Sequence, residues 1–286
     1  MTATGPGVGA AAGPAGRGTI AAATCLADAA RMVLMTPCPH DKAACSHAAA
    51  DLWRNGKLSL KRSSPAMPDH PARPDAPKLT HPRYVPKRGF DTPARRIALI
   101  HALAHIELNA IDLAWDIAGR FAADDNLPRA FYDDWIRVAD EEATHFTLLC
   151  ERLQSLGAAY GDLAAHDGLW QAAAATAHDL LARLAIVPLV LEARGLDVTP
   201  PMIERLKAAG DAETAAVLEI IYRDEKEHVA SGFRWYRHLC AQRQLPLEPT
   251  FHLLVRKYFR GLFKPPFNDE ARSAAGLSAS FYQPLA

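Results

Sequence analysis

Two copies of one short spacing give the first chemical lead. Glu142-Ala143-Thr144-His145 and Glu225-Lys226-Glu227-His228 both read Glu-x-x-His. Three residues turn an α-helix by about 300°, so in each copy the carboxylate and the imidazole share a face that can hold a divalent metal. One copy alone decides little. With twelve Glu and twelve His in 286 residues, chance supplies about half of one such pair. The surroundings add weight. Glu107 stands in LAHIELNAIDLAW and Glu192 in AIVPLVLEARG, both largely apolar stretches. The chain order is therefore Glu107, Glu142/His145, Glu192, Glu225/His228.

A buried carboxylate without a cation partner is costly, or it takes up a proton. Four acids facing one another need roughly four positive charges between them, which two divalent ions supply. Oxygen and imidazole donors suit Fe, with Mn as the alternative, and the lack of nearby thiolates argues against a zinc finger or an iron–sulfur cluster. This order of donors is the ligand set of dinuclear carboxylate sites in helix bundles. Glu141 and Asp224 each precede their own motif's His by four residues. They are candidates to orient a ligand imidazole, within one helix or across to another. Tyr222 lies one turn before Glu225 and is a candidate to line the site. His101 and His105 project away from the Glu107 face and are excluded as ligands. Asp112, Asp116 and Asp133 read as ordinary solvated helix residues.

The elements that must position these groups are helical. Thr92-Pro93 forms an N-cap and first-turn pair opening helix A, whose apolar residues repeat at helical spacing to near Asp124-Asp125. Helix B follows Pro128 and stops at Gly157. Helix C spans about 168–194, kinks at Pro188 and ends at Gly195. Thr199-Pro200 opens a short helix ending at Gly210, and helix D runs from Asp211 to about Arg243. The reading is an all-α chain, an antiparallel four-helix bundle over residues 93–245.

Around this core the sequence divides. Residues 1–23 are low-complexity and expected to be disordered; 24–64 hold short helices broken at Thr36-Pro37. Residues 65–92 form an extended strap, with Pro65, Pro68, Pro71, Pro74 and Pro77 at every third position. Residues 246–286 form a tail packed on the bundle. The net charge is zero, but 54–96 carry an excess of eight positive charges, 97–250 an excess of eleven negative and 251–286 an excess of three positive. Basic flanks can thus lie on an acidic body. Basic residues interleave with aromatics in 83–96 and 256–267, a pattern able to grip RNA by phosphate contact and stacking.

Other chemistry is excluded or weak. There is no glycine-rich dinucleotide motif and no P-loop lysine, so no nucleotide cofactor is expected. Cys38-Pro39-His40 and Cys45-Ser46-His47 place four zinc-type donors close together, at a spacing that fits no common finger. Five sparse cysteines fit a reducing, cytoplasmic setting. No uninterrupted apolar run approaches the ~18 residues of a membrane span, and no secretory signal is read.

On these residues the chain resembles the ferritin-like superfamily, and more narrowly a bacterial family of ferritin-like proteins catalogued as a domain of unknown function. The likeness covers about residues 25–286. It rests on the Glu107, Glu142/His145, Glu192, Glu225/His228 order and on the C-terminal stretch Lys264-Pro265-Pro266-Phe267-Asn268, Ala271-Arg272, Gly276-Leu277 and Phe281-Tyr282. A distant likeness extends to the di-iron hydroxylase that modifies a prenylated adenosine in tRNA. The resemblance implies a ferritin-like fold and a dinuclear iron centre. The function expected is an oxidoreductase of hydroxylase type using O2 or peroxide and an external electron donor, in a monomer or homodimer. The alternatives are a ferroxidase or iron-handling protein and a non-catalytic, metal-stabilised module that binds a protein partner.

Overall fold

The computed structural model describes residues 20–60, 66–122 and 127–286. Residues 1–19, where disorder is expected, Pro65 at the head of the proline repeat, and Asp124-Asp125, where the sequence ends helix A, lie outside the described residues. Among the described residues the chain is all-α, without strands. Helices α1 (Leu26–Leu34) and α2 (Pro39–Arg54) flank the break at Thr36-Pro37. Helices α3 (Pro93–Arg120) and α4 (Arg129–Ser155) form an antiparallel pair, joined at one end by Tyr132 Oη donating to Ala122 O. Thr92 caps α3 as its sequence suggests, its Oγ1 accepting from Arg95 N.

Helix α8 (Ala212–Gln242) runs antiparallel to α4 in a register that side chains mark along its length. Arg152 of α4 meets Asp211 at the start of α8, and Asp134 accepts from Trp235 toward its end. Between them lie α5 (Gly168–Ala175), α6 (Leu180–Ile186), a π-helical turn (Val187–Glu192) and α7 (Ala193–Ala208). This differs from the single helix C expected over 168–194. Asp179 caps a new helix through Leu181 N and Ala182 N, and Thr176 Oγ1 bonds back to Ala172 O, so the helix stops and restarts. Residues 157–175 instead return the chain along α3. Tyr160 stacks on His101, and His105 Nε2 bonds His166 O. That return gives the helices after Asp179 their direction, so the connection is longer than residues 158–167 alone.

The short helix expected to open at Thr199-Pro200 is also corrected. Helix α7 passes through Gly195, Pro200 and Pro201 without interruption. A proline at 200 removes the donor that would meet Leu196 O. Asn268 Nδ2, from the C-terminal segment, donates to that oxygen at 3.1 Å instead. Pro188 does not simply kink its helix but sits inside the π turn, where Gly232 of α8 lets it approach closely. A Cβ at position 232 would stand 2.4 Å from Pro188 Cβ. Gly232→Ala is expected to cost about 1–3 kcal/mol of stability through overpacking. An unchanged urea midpoint would remove this close contact.

Asp112 and Asp116, read from the sequence as solvated, are fully buried. Lys42 Nζ of α2 lies 2.5 Å from Asp112 Oδ1, and Arg183 Nη1 lies 2.5 Å from Asp116 Oδ2. The partners are 70 and 67 residues distant in sequence, which is why helical spacing alone assigns these acids to water. The strap lies on the body: Arg73 bonds Asn109 and Asp167, Arg120 donates to Pro68 O, and Trp170 to Asp69 O. The tail is tied to α7 by the buried pair Arg272–Asp197. Helix α3 is long and apolar enough by composition to cross a membrane, and 78% of its most apolar window is buried inside the fold. Its apolarity therefore serves the core.

Candidate metal centre

Helices α3, α4 and α8 each bring one turn of their buried face to a common interior volume. Glu107 comes from α3, Glu142 and His145 from α4, and Glu225 and His228 from α8; Glu107, Glu142 and both imidazoles are buried. Glu142 lies between the two histidines. Its Oε2 is 3.3 Å from His145 Nδ1, and its Oε1 is 3.1 Å from His228 Nδ1. Glu107 Oε2 approaches His145 Nδ1 at 3.6 Å, and Glu225 Oε2 approaches His228 Nδ1 at 3.9 Å. Two groups of potential ligands result, each with donor atoms within 4.8 Å of one another: Glu107, Glu142 and His145, and Glu142, Glu225 and His228. Glu142 is common to both. Glu192, at the end of the π turn, belongs to neither group but lines one narrow slot together with Glu107 and Glu225.

The outer nitrogen of each imidazole is held by the other helix. His145 Nε2 lies 3.2 Å from Asp224 of α8, and His228 Nε2 lies 2.7 Å from Glu141 of α4. The sequence leaves open whether these acids act within a helix or across; they act across. A carboxylate at Nε2 favours the tautomer that carries its proton there, which turns the Nδ1 lone pair inward. That lone pair then faces carboxylate oxygens, two acceptors with nothing to share unless a proton or a cation stands between them. Asp224→Asn should therefore weaken metal affinity about 10–100-fold, read by competition with a chelator. Retained affinity would deny Asp224 an orienting role.

Electrostatics describe the same strain. Among the described residues eight buried side-chain polar atoms lack a hydrogen-bond partner, and five belong to this cluster: Glu107 Oε2, Glu142 Oε1, Glu192 Oε2, Glu225 Oε2 and His228 Nδ1. Such orphaned atoms are rare in folded proteins and call for a missing partner. Burial, with Glu142 beside it, pushes the Glu107 carboxyl well above the usual range. Burial and then the charges of Glu225 and Glu142 do the same to Glu192, and burial with Glu142 lifts Glu225 to about 7. Burial opposes charge on Glu142 too, but the neighbouring Glu107, His145 and His228 outweigh it and hold its pKa well below normal. Both imidazoles are held well above their ordinary value because neighbouring acids outweigh burial. Protonated histidines and neutral acids thus do what bound cations would do. The donor set is all carboxylate and imidazole, and its orphaned oxygens fit a pair of oxygen-preferring metals.

Other sequence candidates lie elsewhere. Tyr222 Oη accepts from Asn268 and its ring carries Lys226, so it is engaged by the C-terminal segment. His101 Nε2 accepts from Gly161 N, and His105 bonds Tyr160 and His166, both away from the cluster. Among the described residues the Cys38, His40, Cys45 and His47 donors do not form a metal-competent group. His47 pairs with Asp140, and the His40 ring packs on Phe146.

Sequence reading missed the slot itself. It runs from Glu107, Glu192 and Glu225 past Leu103, Leu191, Val198 and Met202, a volume of about 160 Å³ with aliphatic walls. The apolar run before Glu192 is its one local trace; the rest of the wall comes from α3, α5, α7 and α8.

No solved structure matches the chain. A protein of Haemophilus influenzae, described as uncharacterized, is 47% identical over 211 residues, covering 72% of this chain and 73% of its own length. A family model described as "Protein of unknown function (DUF455)" matches residues 35–283. The chain belongs to the DUF455 family.

Proposed function

We propose that this chain is a ferritin-like dinuclear metal protein. In this reading α3, α4, the α6–π–α7 run and α8 are the four rods of its bundle, and two iron ions, with manganese as the alternative, are its cofactor. The observation that carries the reading is Glu142, with one oxygen toward each histidine and orphaned carboxylate oxygens around it. The metal pair would supply redox chemistry toward O2 or peroxide, with electrons from an external donor.

The chain's own residues do the rest. Glu142 would be shared by two ions, one held with Glu107 and His145 and the other with Glu225 and His228. Glu192 adds charge from the slot side. Glu141 and Asp224 fix the imidazole rings, and the aliphatic slot keeps bulk water from the acids. That slot favours an oxidoreductase of hydroxylase type over iron storage. Beyond its three glutamates the slot is mostly aliphatic, with Arg194 and Thr199 as its other polar side chains, a lining that suits an apolar substrate better than a path for hydrated cations. A reducing, cytoplasmic compartment suits the five free thiols.

Metal analysis of protein grown in iron-replete medium tests this. The expected content is about two transition-metal ions per chain, falling sharply in Glu142→Ala. Well under one ion per chain, unchanged in that variant, would refute the dinuclear reading.

A further inference from the structure

The slot does not stand alone. Ile106 and Leu169 line both it and a neighbouring cleft of about 450 Å³. Ile106 immediately precedes Glu107 on α3 and is 39% exposed, so it offers an apolar surface beside the cluster. The far wall of the cleft is basic, built by the strap: Arg83, Lys87 and Arg88, with Arg95 from the start of α3. Arg95 is tied to Asp91, and Arg83 stacks on Tyr84 and donates to its hydroxyl. Lys87 and Arg88 are exposed and have no anionic partner among the described residues. Lys87 and Arg88 thus line the cleft, orphaned carboxylates line the slot, and Ile106 and Leu169 face both.

We infer that the site acts on an anionic amphiphile: an aliphatic chain threads past Ile106 and Leu169 into the slot while its acidic head rests on Lys87 and Arg88. This rests on the dinuclear reading for what happens at the inner end, but binding itself needs only the slot and the cleft. The shape of the ligand follows from the linings. Together their volumes fall in the range of small-molecule sites. The slot lining contains no aromatic ring and the cleft only His105 and His166, so a flat ring has a stacking surface in the cleft alone, whereas the slot matches a saturated chain. An anionic head fits the cleft because Lys87 and Arg88 supply two charged donor groups that no described carboxylate occupies.

Calorimetric titration of the full-length chain with ethyl, butyl and hexyl phosphate tests the inference, on metal-loaded and chelator-treated protein. Affinity should rise about fourfold per added methylene until the slot is filled. Gly195→Phe should flatten that series. Gly195 lines the slot, and a Cβ there meets no atom within 4 Å, so the fold should tolerate the ring. The double change Lys87→Glu and Arg88→Glu should weaken every member by a similar factor, about tenfold, without flattening the series. A response independent of chain length, or one indifferent to Gly195→Phe, overturns the inference. So does a single-stranded RNA oligonucleotide that displaces hexyl phosphate and binds more tightly. If the series behaves as expected but the protein takes up no metal, the dinuclear reading fails and the amphiphile site stands; metal uptake with a flat series gives the reverse.

Discussion

Glu142→Ala should abolish the stabilisation of the protein by added Mn(II) or Fe(II), whereas Glu192→Gln should only reduce it. A ligand at a thousand times its dissociation constant stabilises the fold by about 4 kcal/mol, and that response is expected of the unaltered chain. Glu142 stands in both potential ligand groups, so its loss removes both half-sites at once. The two variants also differ without metal. Glu142 is the acid whose pKa is held low, with His145 Nδ1 and His228 Nδ1 at 3.3 and 3.1 Å from its two oxygens. Its removal leaves two buried imidazoles without their shared partner, at a cost of about 3–5 kcal/mol. Burial and the neighbouring Glu225 and Glu142 charges raise the Glu192 carboxyl well above its ordinary range and so favour its neutral form without metal. A neutral amide resembles that state, so Glu192→Gln should change metal-free stability by less than about 1 kcal/mol. Denaturant titrations with and without metal separate these outcomes. Equal metal responses in both variants would remove the bridging role of Glu142.

Asp116→Ala should destabilise the protein by about 3–5 kcal/mol although Asp116 touches no candidate ligand. Arg183 is 1% exposed and donates to Asp116 Oδ2, while Arg120 grips the same carboxylate through Nε and Nη2. Removing the acid strands a buried guanidinium that retains only Thr176 Oγ1 and Ala173 O. Replacing both members, Asp116→Leu with Arg183→Met, should recover most of the loss, because the desolvation cost vanishes with the charges. The urea midpoint should fall by about 1 M or more; an unchanged midpoint for Asp116→Ala would show that the pair contributes nothing.

What the sequence reveals follows from the range of each interaction. Glu-x-x-His repeats within one helical turn, so Glu142 with His145 and Glu225 with His228 are visible in a line of text. Glu107 and Glu192 stand out because each interrupts an apolar run. The ends of α3, α4 and α8 are legible from Thr92-Pro93, Pro128 and Asp211, all local capping signals. Helix α7 misleads because its continuation through Pro200 depends on Asn268, 72 residues away from the carbonyl it satisfies. Asp112 and Asp116 mislead for the same reason, since Lys42 and Arg183 reach them from distant helices. The crossed pairs His145–Asp224 and His228–Glu141 require the antiparallel register of α4 and α8, which no local pattern encodes.

A crystal grown with Mn(II), with anomalous diffraction recorded at its absorption edge, addresses the metal pair most directly. Two peaks about 3.5–4 Å apart are expected on either side of the Glu142 carboxylate, one within bonding reach of His145 Nδ1 and the other of His228 Nδ1. No peak among Glu107, Glu142, Glu192 and Glu225 at saturating Mn(II), with the imidazoles still bonded only to acids, would contradict the dinuclear centre outright.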